Sequence, residues 1–233
     1  MLTPPSYQIN EAAADRGYFT LTPAGTAAAN GTSGPWGWNA LGCCGRCYGS
    51  GVDDFAFATA MLEWAEANLC VDISRVYVVG FSNGGFMANS LGCRLAGRLA
   101  GVATMAASVG REHLQECSQA AALPFVSFHS LQDPYVPYNG NVEWLPQTTV
   151  DSMYRQRAGC AANATGQVVF QSNTTECHRY TCPDATMAAC TVKWLNHCWL
   201  GGRSGGFQQS GNCVPRPGDL DATGFLFDFF ESL

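Results

Sequence analysis

Val76-Tyr77-Val78-Val79-Gly80-Phe81-Ser82-Asn83-Gly84-Gly85-Phe86-Met87-Ala88-Asn89-Ser90-Leu91 passes from an apolar run, through a serine flanked by glycines, into a segment with helical spacing. The first four residues read as a buried strand and those from Phe86 onward as a helix, so Ser82 stands at the apex of strand, tight turn and helix. In that setting Gly-x-Ser-x-Gly is a nucleophile elbow: glycines let the strained turn pack while the hydroxyl stands clear of the sheet. The bare pattern carries little weight in a chain with 26 glycines. The strand before it and the helix after it supply the weight.

At 233 residues the chain fits one domain, 1–233, long enough to bury a substantial core. Twelve cysteines exceed what such a core needs. They point to disulfides and an oxidising compartment, and their even number permits complete pairing. Cys43-Cys44-x-x-Cys47 lacks a second Cys-x-x-Cys or a His pair at ligand spacing, so zinc is set aside. Sequons at Asn30, Asn163 and Asn173 suit a secreted glycoprotein. A net charge of −6 with one lysine, Lys193, offers no footprint for nucleic acid or an anionic membrane. No apolar run approaches a transmembrane length, and Met1–Asn10 has neither the basic start nor the apolar run of a signal peptide. A secretory composition thus comes without a visible leader.

Tyr18-Phe19-Thr20-Leu21-Thr22 predicts a short strand, and Asp53 or Asp54 caps a helix through Phe57, Met61, Trp64 and Leu69. Further strands are predicted at Val102–Met105, Pro124–Phe128 and near Cys190–Leu195, and helices at Thr149–Ala158 and Asp219–Phe230. Strands alternating with helices argue for an α/β fold, with a mostly parallel sheet flanked by helices. Residues 24–52 and 200–218 read as long surface loops.

A serine hydroxyl is a weak nucleophile, so it needs a histidine to take its proton and a carboxylate to fix that histidine's tautomer. The order Ser, Asp or Glu, His along the chain is that of an α/β-hydrolase. Asp133 follows the strand ending at Phe128, and His197 follows the strand ending at Leu195. Singly, each has an ordinary reading as a turn-former or a solvated loop histidine. Rivals are few: His113 lies off any clear strand end, His129 precedes the acid, and His178 falls in a Cys- and Thr-rich loop. Asp151 reads as the cap region of a helix.

Together with Trp38-Asn39-Ala40-Leu41-Gly42-Cys43-Cys44-Gly45, Val52-Asp53-Asp54-Phe55, His129-x-x-x-Asp133-x-x-Val136-Pro137-Tyr138 and His197-x-Trp199-x-Gly201-Gly202, the elbow resembles the polyhydroxybutyrate depolymerase and feruloyl esterase family of secreted α/β-hydrolases. The resemblance implies Ser82 as nucleophile, Asp133 as acid and His197 as base. It places Trp199, with Tyr138, among substrate-contacting candidates. Cys198 between His and Trp departs from the family, and a nearby cysteine such as Cys213 is its expected partner. The backbone N–H of Asn83 is the expected oxyanion donor. The second donor, commonly near a His-Gly pair, has no counterpart, and Glu11–Phe19 resembles the segment that follows it. The expectation is therefore an N-terminally incomplete sheet lacking its first strands, with a gap beside Val76–Val79.

The expected activity is a secreted serine esterase working through an acyl-enzyme, with no cofactor and no metal, on feruloyl or acetyl esters of plant cell-wall polysaccharide. Its partner is an ester, polymeric in some cases. A polyester depolymerase and a catalytically impaired binding domain are the alternatives. Trp36, Trp38, Trp144, Tyr135 and Tyr138 are loop aromatics that could stack on sugar, phenolic ring or polymer.

Overall fold

A computed structural model describes residues 8–26, 36–43, 47, 51–202 and 218–233. Its helices are α1 (Ile9–Asp15), α2 (Asp54–Asn68), α3 (Asn83–Arg94), α4 (Leu114–Ser118), α5 (Gln147–Arg157) and α6 (Ala222–Glu231). Its strands are β1 (Tyr77–Phe81), β2 (Gly101–Met105), β3 (Phe125–Ser130), β4 (Gln167–Gln171), β5 (Thr175–Thr181) and β6 (Thr186–Val192). Among the described residues they form one sheet in the order β1-β2-β3-β6-β5-β4. The first four strands are parallel, and β5 and β4 extend the sheet antiparallel.

Every residue of β2 and β3 is buried, as expected for strands covered on both faces. Val102, Phe125 and Met187 join Phe86, Met87, Val150 and Tyr154 on the α3–α5 side. Ala103, Met105, Val126, Phe128 and Ala188 join Leu226, Phe229 and Phe230 of α6 on the other. The period of two along each strand thus divides the core into two layers. Asp53 caps α2, its carboxylate accepting the Ala56 N–H at 2.9 Å.

Two strand readings change, and the strand expected near Cys190–Leu195 lies earlier, at Thr186–Val192. Thr175–Thr181, which includes His178, is a strand rather than a loop, stapled to β6 by Cys177–Cys190 at a register pair. Tyr18–Thr22 forms no ladder. It lines, together with Val76–Phe81 of the β1 edge, a cavity of about 1040 Å³. A strand needs a hydrogen-bonded backbone neighbour, and the contacts of Tyr18 with Tyr77 and Arg75 are made by side chains.

The β1 edge, Val76–Phe81, lines that cavity. Val76 O and Ser82 N–H bond toward β2, so the alternating N–H and C=O groups of Tyr77 and Val79 face away from it, and β1 ends the sheet of described strands. The apolar stripe of α2, through Phe57, Met61 and Leu69, lines the same space instead of packing on the sheet, which leaves Phe57 45% exposed.

Cys93–Cys117 ties α3 to α4, and Cys160–Cys182 ties the end of α5 to the end of β5. Cys43 and Cys198 are also disulfide-bonded, whereas Cys213 lies outside the described residues. Among the described residues, buried Cys47 and exposed Cys70 are free thiols. Asn163 and Asn173 are exposed, Asn173 in the β4–β5 turn, and Asn30 lies outside the described residues. No described helix is long and apolar enough to cross a membrane.

Candidate active site

Ser82 sits between β1 and α3 with φ 54° and ψ −127°, a left-handed conformation rare for a residue with a side chain. Its N–H donates to Met105 O, and its carbonyl accepts from Gly85 and Phe86, so the elbow is fixed from both sides. The glycine requirement is specific. A Cβ on Gly80 would overlap the Gly84 backbone, and one on Gly85 would press on Ala107, whereas Gly84 faces open space. Gly80→Ala should therefore cost about 2 kcal/mol or more in urea unfolding and lower activity with it, while Gly84→Ala should stay within about 1 kcal/mol. Equal effects would remove the steric account.

His197 reaches the elbow from the loop after β6, its Nε2 lying 2.6 Å from Ser82 Oγ. Its Nδ1 lies 2.8 Å from Asp133 Oδ2. A carboxylate only accepts, so Nδ1 carries the proton, and Nε2 is left to accept from the serine hydroxyl. Asp133 Oδ1 accepts the N–H groups of Tyr135 and Val136, both at 2.9 Å, closing a turn around the acid. Burial pushes the Asp133 carboxyl upward, but the His197 hydrogen bond and charge, with the Val136 and Tyr135 donors, hold it below the usual carboxylate value. The structure thus brings together the three residues that the sequence singles out from segments 51 and 64 residues apart.

Asn83 opens α3, so its N–H is among the first-turn donors with no acceptor inside the helix, beside Ser82 Oγ in sequence. Its side chain has a second task that sequence reading missed. Oδ1 accepts the Trp38 N–H at 2.7 Å and Nδ2 donates to Trp38 O at 3.0 Å, pinning the Trp36–Trp38 segment across the site. Asp54 and Ser90 anchor the next residues, accepting the N–H groups of Asn39 and Leu41.

The aromatic candidates separate. Trp199 is 2% exposed, packed under Phe81 with its indole N–H donating to Thr223 Oγ1, and it is among the residues that line the cavity. Tyr138 is half-buried against His129, its hydroxyl facing Thr191, away from the cavity lining. Trp144 donates to Gly42 O and packs on Phe86. Tyr135, by contrast, is 72% exposed, with its ring edge-on to His197 at 5.4 Å. It lines the cavity mouth with Ser82, Trp36 and Trp38. Burial decides these roles, and each residue's place depends on contacts far along the chain. Among the described residues no group of three His, Cys, Asp or Glu converges as a metal site.

Residues 58–147 match the phospholipase/carboxylesterase family. Feruloyl esterase B of Piromyces equi is 34% identical over 122 residues, 51% of this chain and 22% of that protein. A probable feruloyl esterase C of Aspergillus niger is 34% identical over 92 residues, 39% of this chain and 33% of its own length. The chain therefore spans a third or less of these two relatives. A thermostable esterase of known structure aligns with a TM-score of 0.37 at 15% identity, over 45% of this chain and 26% of its own. By its elbow, its strand order and these sequence matches, the chain has an α/β-hydrolase fold and is related, over the aligned residues, to the carboxylesterases and feruloyl esterases.

Proposed function

We propose that this is a secreted serine carboxylic ester hydrolase that cleaves feruloyl or acetyl esters of plant cell-wall polysaccharide through an acyl-enzyme. The observation that carries the proposal is the hydrogen-bond chain from Ser82 Oγ through His197 to Asp133, with its proton positions fixed by the acid. Ser82 Oγ attacks the ester carbonyl while Nε2 of His197 takes its proton, and the tetrahedral oxyanion develops beside the Asn83 N–H. The imidazolium, steadied by Asp133, returns the proton to the leaving alcohol. Water then repeats the cycle on the acyl-serine and releases the acid. Three disulfides among the described residues fit an oxidising compartment.

A feruloyl preference finds its support in Tyr135, whose exposed ring lines the cavity edge-on to His197, where it could contact an aromatic acyl group. The test is hydrolysis of methyl ferulate beside a small aliphatic acetyl ester. Tyr135→Ala should lower kcat/KM for methyl ferulate about three- to tenfold, the worth of one aromatic contact, and leave the acetyl ester nearly unchanged. Equal losses on both esters would mean that the side chain only supports the acid turn. Absence of turnover on either ester, with no reaction toward a fluorophosphonate, would favour a binding domain.

A further inference from the structure

His129 and Asp151, both unused by this mechanism, belong to one hydrogen-bond chain behind the acid. His129, 2% exposed on β3, has Nε2 2.7 Å from Val136 O and Nδ1 2.9 Å from Gln147 Oε1. Gln147 Nε2 donates to Asp151 Oδ1 at 2.9 Å, and Ser127 Oγ donates to the same oxygen at 2.7 Å. Asp151 lies in the second turn of α5, so it is not the cap residue expected from sequence. We propose that this chain is a proton-coupled support for the triad: His129 is a positioning residue that pins the Asp133–Val136 turn, and its protonation, set by Asp151 through the Gln147 amide, tunes the base.

The proton count follows from which atoms can donate. Val136 O only accepts, so Nε2 carries hydrogen. With the Gln147 amide in its present orientation Nδ1 also faces an acceptor, which only a ring with both protons satisfies, while the amide donates to an ionised Asp151. The alternative moves one proton from Nδ1 to Asp151 and turns the amide over. Gln147 Nε2 then donates to Nδ1, and the Asp151 hydroxyl donates to Oε1. Both arrangements satisfy every donor; mixed ones leave a clash. Burial raises the Asp151 carboxyl to about 6, against the Ser127 and Gln147 hydrogen bonds and the charges of His129 and Arg155. The other titratable groups facing the pair are Asp133, whose Oδ2 lies 4.0 Å from His129 Nε2, and Tyr138, whose ring stands edge-on to His129.

A charged His129 beside Asp133 competes with His197 for the same carboxylate, and a neutral one does not. Asp151→Asn removes the counter-charge and supplies an amide donor for Gln147 Oε1, which favours the neutral ring. With four histidines in the chain, nitrogen-15 labelling of histidine resolves the ring directly. The wild type should show both His129 nitrogens protonated, and Asp151→Asn only Nε2. Identical ring protonation in the two proteins would overturn the proposal, and this readout needs no turnover.

The tuning of the base rests on the esterase reading. There Asp151→Asn should shift the acidic limb of the kcat/KM profile for p-nitrophenyl acetate upward by roughly half a pH unit, without a change in KM. His129→Gln, which keeps a donor for Val136 O, should reach the same limb, and the double variant should move it no further. A uniform loss with an unmoved limb would reduce Asp151 to a structural residue and refute the tuning. A wild type that hydrolyses no ester would refute the esterase reading, while the ring spectra still decide the coupling.

Discussion

Ser82→Ala is expected to lower turnover of p-nitrophenyl acetate by about 10⁴-fold or more and to abolish labelling by a fluorophosphonate, with unfolding in urea little changed. The hydroxyl is the only atom removed. Ser82 holds the elbow through its backbone, with its N–H on Met105 O and its carbonyl accepting from Gly85 and Phe86, and none of these bonds uses Oγ. Alanine keeps a Cβ at φ 54°, so the strain is the same before and after the substitution. His197 retains Asp133 and loses only its outward partner. A large loss of turnover in a protein of unchanged stability would therefore assign the chemistry to Oγ. Turnover within tenfold of wild type would place the reaction elsewhere in the cavity.

The elbow was legible because everything it needs lies within about ten residues: an apolar run, glycine where a Cβ would collide, and a helix to follow. Even there the pattern misleads in one detail, since Gly85 meets Ala107 while Gly84, which the motif names, faces open space. Asp133 and His197 were legible through order and strand ends, because a parallel sheet delivers the loops that follow its strands to one edge. What escaped depends on partners distant in the chain. Thr175–Thr181 alternates as a strand does, but its cysteine and threonines read equally as a stapled loop until β6 is placed beside it. Tyr18–Thr22 has the composition of a strand and forms no ladder among the described residues. The Asn83 clamp on Trp38 spans 45 residues and leaves no mark in either local segment. Trp199 lies two residues from His197, and its anchoring by Phe81 and by Thr223, 24 residues further on, leaves no mark in its local segment.

Asp133→Asn should cost about 10⁴-fold in kcat for the same ester while the fold survives, and the reason lies in the acid turn. Two backbone donors, Tyr135 and Val136 N–H, converge on Oδ1, so an asparagine keeps its carbonyl oxygen there and its amide nitrogen takes the place of Oδ2. That nitrogen donates to His197 Nδ1. The imidazole is driven to the tautomer with hydrogen on Nε2, which faces Ser82 as a donor and can no longer accept its proton. Position and packing are retained and the wrong atom carries the hydrogen, so KM should change little. Stability carries a second signature. The Asp133 carboxyl is held below its usual value, so its ionised form stabilises the fold above the unfolded value near 4, and that contribution disappears as pH falls through the lower folded value. Wild type should therefore exceed Asp133→Asn in stability at pH 7 by more than it does at pH 3. A difference that stays constant over that range would mean that the carboxylate is not held by His197 and the turn in solution, and a kcat within tenfold of wild type would mean that the histidine needs no fixed tautomer.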